Sequence, residues 1–234
     1  MNITKTNKEI PFPTVESKTN RFFSFILQLT FFGIIFFFFC LFGLGPLYGI
    51  YKRGFDATLP VLSICWGISL IILIPSLNHY IIKRRRIARK IVVNGTGLAF
   101  YNSKNEIVEQ ILYTELRPSK QNFDIYTVTP MGSGIVPLLE ITIQQEKQEE
   151  ATRRIDMNLP MYVVKNKLSL YAHFMQGITV FRPDLKIDPL ALRNFSIDPV
   201  TWEVNKKGTS LGGWLLILAV LIVSAMIVGI AFLL

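Results

Sequence analysis

Three long apolar stretches set the hydropathy pattern of this 234-residue chain, and about 120 more polar residues separate the second from the third. Phe22–Tyr51, Ala57–Ile82 and Leu211–Leu234 contain no Asp, Glu, Lys or Arg. Each is longer than the roughly 20 residues that cross about 30 Å of hydrocarbon at 1.5 Å per residue. The pattern predicts three transmembrane helices. Two form a hairpin within residues 21–90, with spans at about 22–50 and 57–82, and the third covers 211–234.

Glycine and proline residues are expected to make the two helices of the hairpin irregular. Gly43, Gly45 and Pro46 are expected to loosen the first helix near its far end, because proline cannot donate a backbone hydrogen bond. Pro75 is expected to kink the second helix shortly before its end for the same reason.

Residues 91–185 have the pattern of a small α+β domain. Two β-branched or aromatic runs, Ile91–Val93 and Leu98–Tyr101, flank an Asn-Gly turn and predict a hairpin. Further strands are predicted at 109–117, 123–129 and 138–144, with one or two strand-like pieces at 153–164. Apolar residues then recur at intervals of three and four, which predicts an amphipathic helix over 165–178. They are Leu168, Tyr171, Phe174, Met175 and Ile178.

The segments on either side of these elements are predicted to be connections. Residues 1–20 are rich in Lys, Asn and Thr, which is typical of a disordered tail. A cleaved secretory signal is disfavoured, because the polar lead is long and the apolar run exceeds the usual 7–15 residues. Residues 186–210, with Pro189 and Pro199, predict an ordered linker or short helix that returns to the third span.

The net charge of +9 is concentrated beside the apolar stretches. Residues 91–210 carry thirteen basic and thirteen acidic side chains, whereas six basic residues follow the second apolar stretch directly. A nucleic-acid-binding domain would carry the basic excess itself, so that class is disfavoured. The cluster is interpreted as a determinant of membrane topology and as a contact for anionic lipid headgroups. It consists of Lys83, Arg84, Arg85, Arg86, Arg89 and Lys90.

The basic flanks also predict an orientation. Short segments rich in Lys and Arg stay on the cytoplasmic side, and they lie before the first span, after the second and before the third. The N-terminus and the domain are therefore expected in the cytoplasm and the C-terminus outside. Lys52 and Arg53 at the hairpin tip oppose this arrangement but are outnumbered.

The order of elements resembles that of a pleckstrin-homology-like (PH-like) domain, in which short strands precede one C-terminal helix. The resemblance rests on the Ile91–Tyr101 hairpin, the strand at Ile111–Leu116 and the closing helix at 165–178. A two-span hairpin that leads into such a domain resembles small bacterial membrane proteins with PH-like domains. The resemblance implies a small β-barrel or sheet capped by a helix, at the bacterial inner (plasma) membrane.

Residues that carry catalytic or ligand chemistry are scarce. The sequence contains no H-E-x-x-H, G-x-S-x-G, Walker A or G-x-G-x-x-G motif, and we assign no catalytic residue, cofactor or metal. Cys40 and Cys65 lie in apolar stretches and are expected to pack as small hydrophobes. His173 lies off the helical stripe and is interpreted as a surface residue. Ala225 and Gly229 form a small-xxx-small pair that can let helices approach closely.

These observations support three hypotheses about function. The first is a non-enzymatic membrane protein whose PH-like domain binds an unidentified protein partner and assembles a membrane complex, such as a secretion or envelope machine. A peptide would add to an exposed strand edge or to a groove between helix and sheet. The alternative is a transporter, channel or auxiliary subunit that acts through oligomerised helices, although uncharged spans disfavour coupled transport. The third is an unrecognised membrane enzyme.

Overall fold

The computed structural model describes residues 12–78, 87–129, 137–144 and 150–205, together with Leu218, Leu221 and Ile222. These residues fall into two compact units. One unit, here called the hairpin unit, contains residues 20–78 and Pro160–Val163, together with Ile87, Leu218, Leu221 and Ile222. The other, here called the domain, contains residues 12–19, 88–129, 137–144, 150–159 and 164–205.

The hairpin unit consists of two long helical rods joined at a single residue. The first rod is formed by α1 (Arg21–Phe39), a π-helical turn (Cys40–Leu44) and α2 (Gly45–Arg53), and the second by α3 (Phe55–Leu77). Gly54 makes the connection at a φ of 85°, a left-handed value that glycine adopts without strain. The Gly54 N–H closes the first rod on Ile50 O at 2.9 Å, and Thr58 Oγ1 donates to Gly54 O at 2.7 Å.

The π-helical turn confirms the prediction that Gly43, Gly45 and Pro46 loosen the first helix. The Gly45 N–H bonds the Cys40 carbonyl five residues earlier, and Pro46 has no N–H with which to restore the regular ladder. The indole Nε1 of Trp66 on α3 donates to Gly43 O at 3.1 Å. The irregular turn is therefore stabilised from the second rod.

Two helices are long and apolar enough to cross a membrane, Arg21–Arg53 and Phe55–Ser76, where two of the predicted spans lie. No side chain in the most apolar stretch of the first is buried in protein. Of the predicted third span at 211–234, only the three helical residues Leu218, Leu221 and Ile222 are described.

The domain is built from two antiparallel sheets. The first has the strand order β1-β2-β3-β4. Its strands are β1 (Val15–Glu16), β2 (Lys90–Asn94), β3 (Gly97–Tyr101) and β4 (Ile107–Leu112). The β2–β3 hairpin confirms the prediction from the Asn-Gly turn. The Asn94 side chain caps this turn by accepting from the backbone of Thr96 at 2.9 Å and of Gly97 at 3.2 Å.

The second sheet is organised around β7 (Leu138–Gln144). On one edge β7 pairs with β5 (Leu116–Arg117) and, further along, with β6 (Tyr126–Val128). Its other edge pairs with β8 (Glu150–Ile155). Alternation along β7 puts Leu139, Ile141 and Ile143 in the core.

Two helices follow the sheets and complete the core. They are α4 (Lys167–Phe181) and the short α5 (Pro189–Asn194). Helix α4 packs against β2, β3 and a 3-10 turn at Tyr113–Glu115, and its residues 170–175 are all buried. Tyr171 on α4 stacks on Phe195, with ring centroids 4.2 Å apart. The predicted amphipathic helix is thus present, but it is covered on more than one side.

Two predictions differ from the structure. The predicted strand at 109–117 is two strands, because the 3-10 turn at Tyr113–Glu115 carries the chain from one sheet to the other. Residues 186–205 include a short helix, α5, which is one of the two predicted alternatives, and Ala191, Phe195 and Ile197 are buried in the domain. The described part of the predicted disordered tail, residues 12–19, is ordered, because Val15 and Glu16 pair with Val93 and Val92.

Candidate peptide-binding groove

An extended segment, Phe12–Thr19, lies along the edge of β2 and beside the start of α4, and we call it the N-terminal strap. It is separated from β2 by about 70 residues of chain that include both rods of the hairpin unit. Strand β1 forms its centre, and Thr19 makes an isolated antiparallel bridge with Val164. The surface between β2 and α4 that holds this strap is the candidate functional site.

Backbone groups of the strap are bound in the manner of an added strand. Ser17 N donates to Ile91 O at 2.8 Å, and the Ser17 hydroxyl accepts from Ile91 N at 3.0 Å. At the other side of the groove, Lys165 N donates to Lys18 O at 2.7 Å. The strap is therefore hydrogen-bonded on both sides, by β2 and by the residues that precede α4.

The side chain of Asn166 forms hydrogen bonds with the strap backbone at two points. Its Nδ2 donates to Glu16 O at 2.8 Å, and its Oδ1 accepts from Lys18 N at 2.6 Å. A primary amide carries one acceptor and a donor group side by side, so it can replace a neighbouring peptide unit. Asn166 thus recognises an extended backbone without regard to the side chains of the strap.

An aromatic pocket holds the first described residue of the strap. The Phe12 ring stacks on His173 with centroids 4.3 Å apart and meets Phe181 edge-on at 5.4 Å. Gly95 lies beside it, and a Cβ at position 95 would be 3.6 Å from the Phe12 Cβ. Aromatic pairs of this geometry add about 0.5–1.5 kcal/mol beyond the area they bury. Phe12 is therefore the side-chain anchor of the strap.

His173 is part of this pocket and not the surface residue that the sequence predicts. It is 8% exposed, and its Nε2 lies 2.6 Å from Pro13 O. A carbonyl oxygen can only accept, so Nε2 carries the proton and donates. Helical periodicity locates His173 correctly off the main stripe, but the strap covers that side of the helix.

The predicted lipid-contact cluster is only partly described. Lys83, Arg84, Arg85 and Arg86 lie outside the described residues, as do Ala225 and Gly229 of the predicted helix-packing pair. Arg89 N donates to Tyr101 O at 2.6 Å. Lys90 forms an ion pair with Glu16 of the strap at 2.7 Å, with both side chains partly exposed. Such a pair contributes at most about 1 kcal/mol to stability, but it places opposite charges on the strap and on β2.

A second polar surface lies on the outer face of the sheet around β7. Glu140 is 7% exposed and accepts from the Tyr126 hydroxyl at 2.6 Å and from Arg154 Nε at 2.8 Å. Burial, and then the Glu140 carboxylate, raise the pKa of Tyr126 to about 12. Gln121 donates to the same hydroxyl at 2.9 Å, between cavities of about 360 and 200 Å³. The network is internally satisfied, so it stabilises the sheet and presents no activated nucleophile or base.

Sequence reasoning missed both the strap and this network. In the strap, the sequence around Val15 and Ser17 does not predict which residues they bind. Alternation along residues 138–144, in contrast, does indicate the polar face of β7. Among the described residues, no group of three His, Cys, Asp or Glu side chains is placed to hold a metal ion. Cys40 and Cys65 are free thiols at half-buried positions.

Comparison with known proteins gives no relative from which a function can be transferred, since no protein-family model, curated protein or solved structure matches the chain.

Proposed function

We propose that this chain is a non-enzymatic integral membrane protein whose domain binds an extended segment of a protein partner in the groove between β2 and α4. One observation carries the proposal: the groove already holds the N-terminal strap, by strand addition and by the Asn166 side chain. Backbone bonds along a sheet edge with a pocket for one anchoring side chain are a recurring mode of peptide recognition. The domain would serve as an assembly module of a membrane complex, such as a secretion or envelope machine.

The proposal includes the membrane architecture expected from the sequence. Arg21–Arg53 and Phe55–Ser76 would be two of three spans, with the third at 211–234. The basic cluster after the second span favours a cytoplasmic domain and an external C-terminus. With two antiparallel sheets followed by α4, the domain would have a PH-like architecture, and the proposed location is a bacterial inner membrane. Lipid headgroups and further copies of the chain would be additional partners.

The strap defines the chemistry of the proposed partner. A competing segment would need an extended backbone, an aromatic side chain at the position of Phe12 and a small hydroxyl side chain at that of Ser17. An acidic residue at the position of Glu16 would preserve the ion pair with Lys90. Because β1 pairs over only two residues, a partner that pairs over more of β2 would gain hydrogen bonds over the strap.

The experiment uses the full chain in lipid nanodiscs and a fluorescein-labelled peptide with the sequence of residues 12–19. Phe12→Ala removes the ring anchor of the strap and should open the groove. We expect the peptide to bind this variant at least about tenfold more tightly than wild type, which follows from a loss of about 1.4 kcal/mol in the competing strap. Fluorescence anisotropy measures both affinities.

Two controls identify the groove. A peptide with alanine in place of its phenylalanine should bind weakly, and Phe12→Ala combined with Asn166→Ala should bind the intact peptide weakly. Hydrogen exchange at Leu139–Ile143 checks that each variant keeps its core. Equal binding of all peptides, or none by a folded Phe12→Ala variant, would contradict the proposal.

A further inference from the structure

The first two turns of α1 carry a polar stripe. Asn20, Ser24 and Gln28 are spaced by four residues and so lie on one side of the helix. All three bind the backbone of the loop Pro160–Val163, which belongs to the same compact unit. Asn20 N donates to Val163 O at 2.7 Å, Ser24 Oγ accepts from Val163 N at 2.9 Å and Gln28 Nε2 donates to Met161 O at 3.1 Å.

The opposite side of these turns is apolar and open. The Phe22 and Phe25 side chains are 65% and 62% exposed, whereas Ser24 is 3% exposed beneath the loop. Arg21 begins the helix at an exposed position. An amphipathic stretch with aromatic side chains on one face and polar contacts on the other is typical of a helix at the boundary between headgroups and acyl chains.

The length of the first rod exceeds the thickness of the hydrocarbon. Arg21–Arg53 has 33 residues, so it is about 50 Å long at 1.5 Å per residue, against about 30 Å of hydrocarbon. If the rod spans the membrane, about 20 Å of it therefore lies outside the hydrocarbon.

Burying the loop Pro160–Val163 among the acyl chains together with these turns would cost free energy. A backbone polar group without a partner costs several kcal/mol in hydrocarbon, so irregular backbone is tolerated there only when it is covered by protein or water. Met161, Tyr162 and Val163 are each half-buried and not enclosed. The turns that hold this loop therefore belong at the membrane surface.

We propose that Arg21–Gln28 and the loop Pro160–Val163 form one lipid-binding element at headgroup level, with Phe22 and Phe25 inserted at the boundary with the acyl chains. The inference rests on the proposed membrane insertion of the two rods. It shortens the membrane-crossing part of the first rod to about residues 29–53, or about 37 Å, which a tilt of the helix accommodates. The apolar residues before Leu29 anchor the chain and do not cross.

Depth measurement by electron paramagnetic resonance tests this element. The full chain carries Cys40→Ala and Cys65→Ala, one nitroxide label at position 22, 25 or 36, and is placed in vesicles of phosphatidylethanolamine and phosphatidylglycerol. Relative collision rates with oxygen and with a water-soluble nickel chelate give the depth of each label. Residues 25 and 36 are eleven positions apart, so we expect the label at 36 to lie up to about 16 Å deeper, with the labels at 22 and 25 near the boundary between headgroups and acyl chains.

The outcomes separate this inference from the proposal on which it rests. Labels at 25 and 36 with equal depth inside the acyl chains would overturn the surface element and leave the membrane span intact. A label at 36 that is as accessible to nickel as one in water would overturn both. Spin–spin broadening at 25 would overturn the lipid contact in favour of a second copy of the chain.

A matched pair of hydroxyl deletions tests the hydrogen bond between Ser24 of α1 and Val163 of the loop. Ser24→Ala removes the acceptor of the Val163 N–H, while Thr30→Ala removes only a bond from Thr30 Oγ1 to Ile26 O within the helix. We expect hydrogen exchange at Val163 to become about tenfold faster in Ser24→Ala and to stay at the wild-type rate in Thr30→Ala. Equal exchange rates at Val163 in the two variants would contradict this role of the Ser24 hydroxyl.

Discussion

The hydroxyl of Tyr113 lies against the backbone of Gly177 on α4, at a position where any Cβ on residue 177 would collide with it. The ring is held by stacking on Phe174 and Phe181, with centroids 5.6 and 5.2 Å away. Among the described residues the hydroxyl has no hydrogen-bond partner, and burial raises the pKa of Tyr113 well above its usual value. Gly177 therefore makes room for a ring whose polar end gains no hydrogen bond.

Tyr113→Phe should not weaken the domain, because it removes a buried hydroxyl that makes no hydrogen bond. An unsatisfied buried polar group costs about 1–3 kcal/mol, so we expect the free energy of unfolding to stay equal or rise by up to that amount. Chemical denaturation of the full chain in detergent, followed by tryptophan fluorescence, measures the difference.

Tyr171→Phe is the matched control, since its hydroxyl accepts from Met157 N at 3.1 Å and donates to Ile155 O at 3.0 Å. Loss of this hydroxyl should lower the free energy of unfolding by about 1–3 kcal/mol. A destabilised Tyr113→Phe variant would show that the Tyr113 hydroxyl has a partner after all.

Asn166→Ala should release the strap from one side of the groove. The substitution removes both amide bonds to the strap backbone, and bonds of this kind contribute about 0.5–1.5 kcal/mol each. We expect faster hydrogen exchange at Ser17 and Lys18. Asn194→Ala makes the same chemical change at an exposed bond to Thr127 and should leave these amides unaffected. Unchanged exchange in Asn166→Ala would contradict the assigned role.

Gly97→Ala should disrupt the β2–β3 hairpin, whereas Gly95→Ala should be tolerated. Gly97 has a φ of 149°, and a Cβ there would collide with the carbonyl of Ile111 on β4. A Cβ at Gly95 would meet only ordinary contacts at 3.6 Å. We expect a loss of more than about 1 kcal/mol at position 97 and less than half of that at 95. Thermal unfolding of the two variants compares them, and equal midpoints would contradict the assignment.

Tyr126→Phe should make stability less sensitive to alkali. The pKa of Tyr126 in the folded chain is about 12, above the unfolded value of about 10. The stability linked to this group is therefore fully present below about pH 10 and is lost as the pH rises through about 12.

We expect the unfolding temperature of wild type to fall more steeply over this pH window than that of Tyr126→Phe, even though the variant is weaker at neutral pH without its bond to Glu140. Parallel slopes for wild type and Tyr126→Phe would contradict the linkage.

The predictable parts of the fold are those whose signal is local. Asn94–Gly97 specify their turn through one side chain and one glycine, and the apolar spacing of α4 identifies its buried stripe. The two long helices follow from uninterrupted apolar stretches. In each case the interacting residues are within a few positions of one another, so the sequence pattern contains both partners.

The parts that could not be predicted depend on distant partners. Val15 pairs with Val93, and the whole helical hairpin lies between these two residues in the sequence. The polar composition around Val15 is also typical of a disordered tail. His173 lies on a helix face that periodicity leaves uncovered, and only the strap explains its burial. Ser24 and Gln28 lie within an apolar stretch, where two neutral polar residues do not change the prediction of a membrane span.

The position of β1 in the chain has a consequence for biosynthesis. The ribosome makes the strap before its pairing partner β2, which emerges only after both helices of the hairpin have been translated. The strap must therefore stay unpaired until these helices have been made, and the long loop it closes makes its docking a late and slow event. A nascent chain arrested before Lys90 would expose Phe12–Thr19 to proteases, and a finished chain would not.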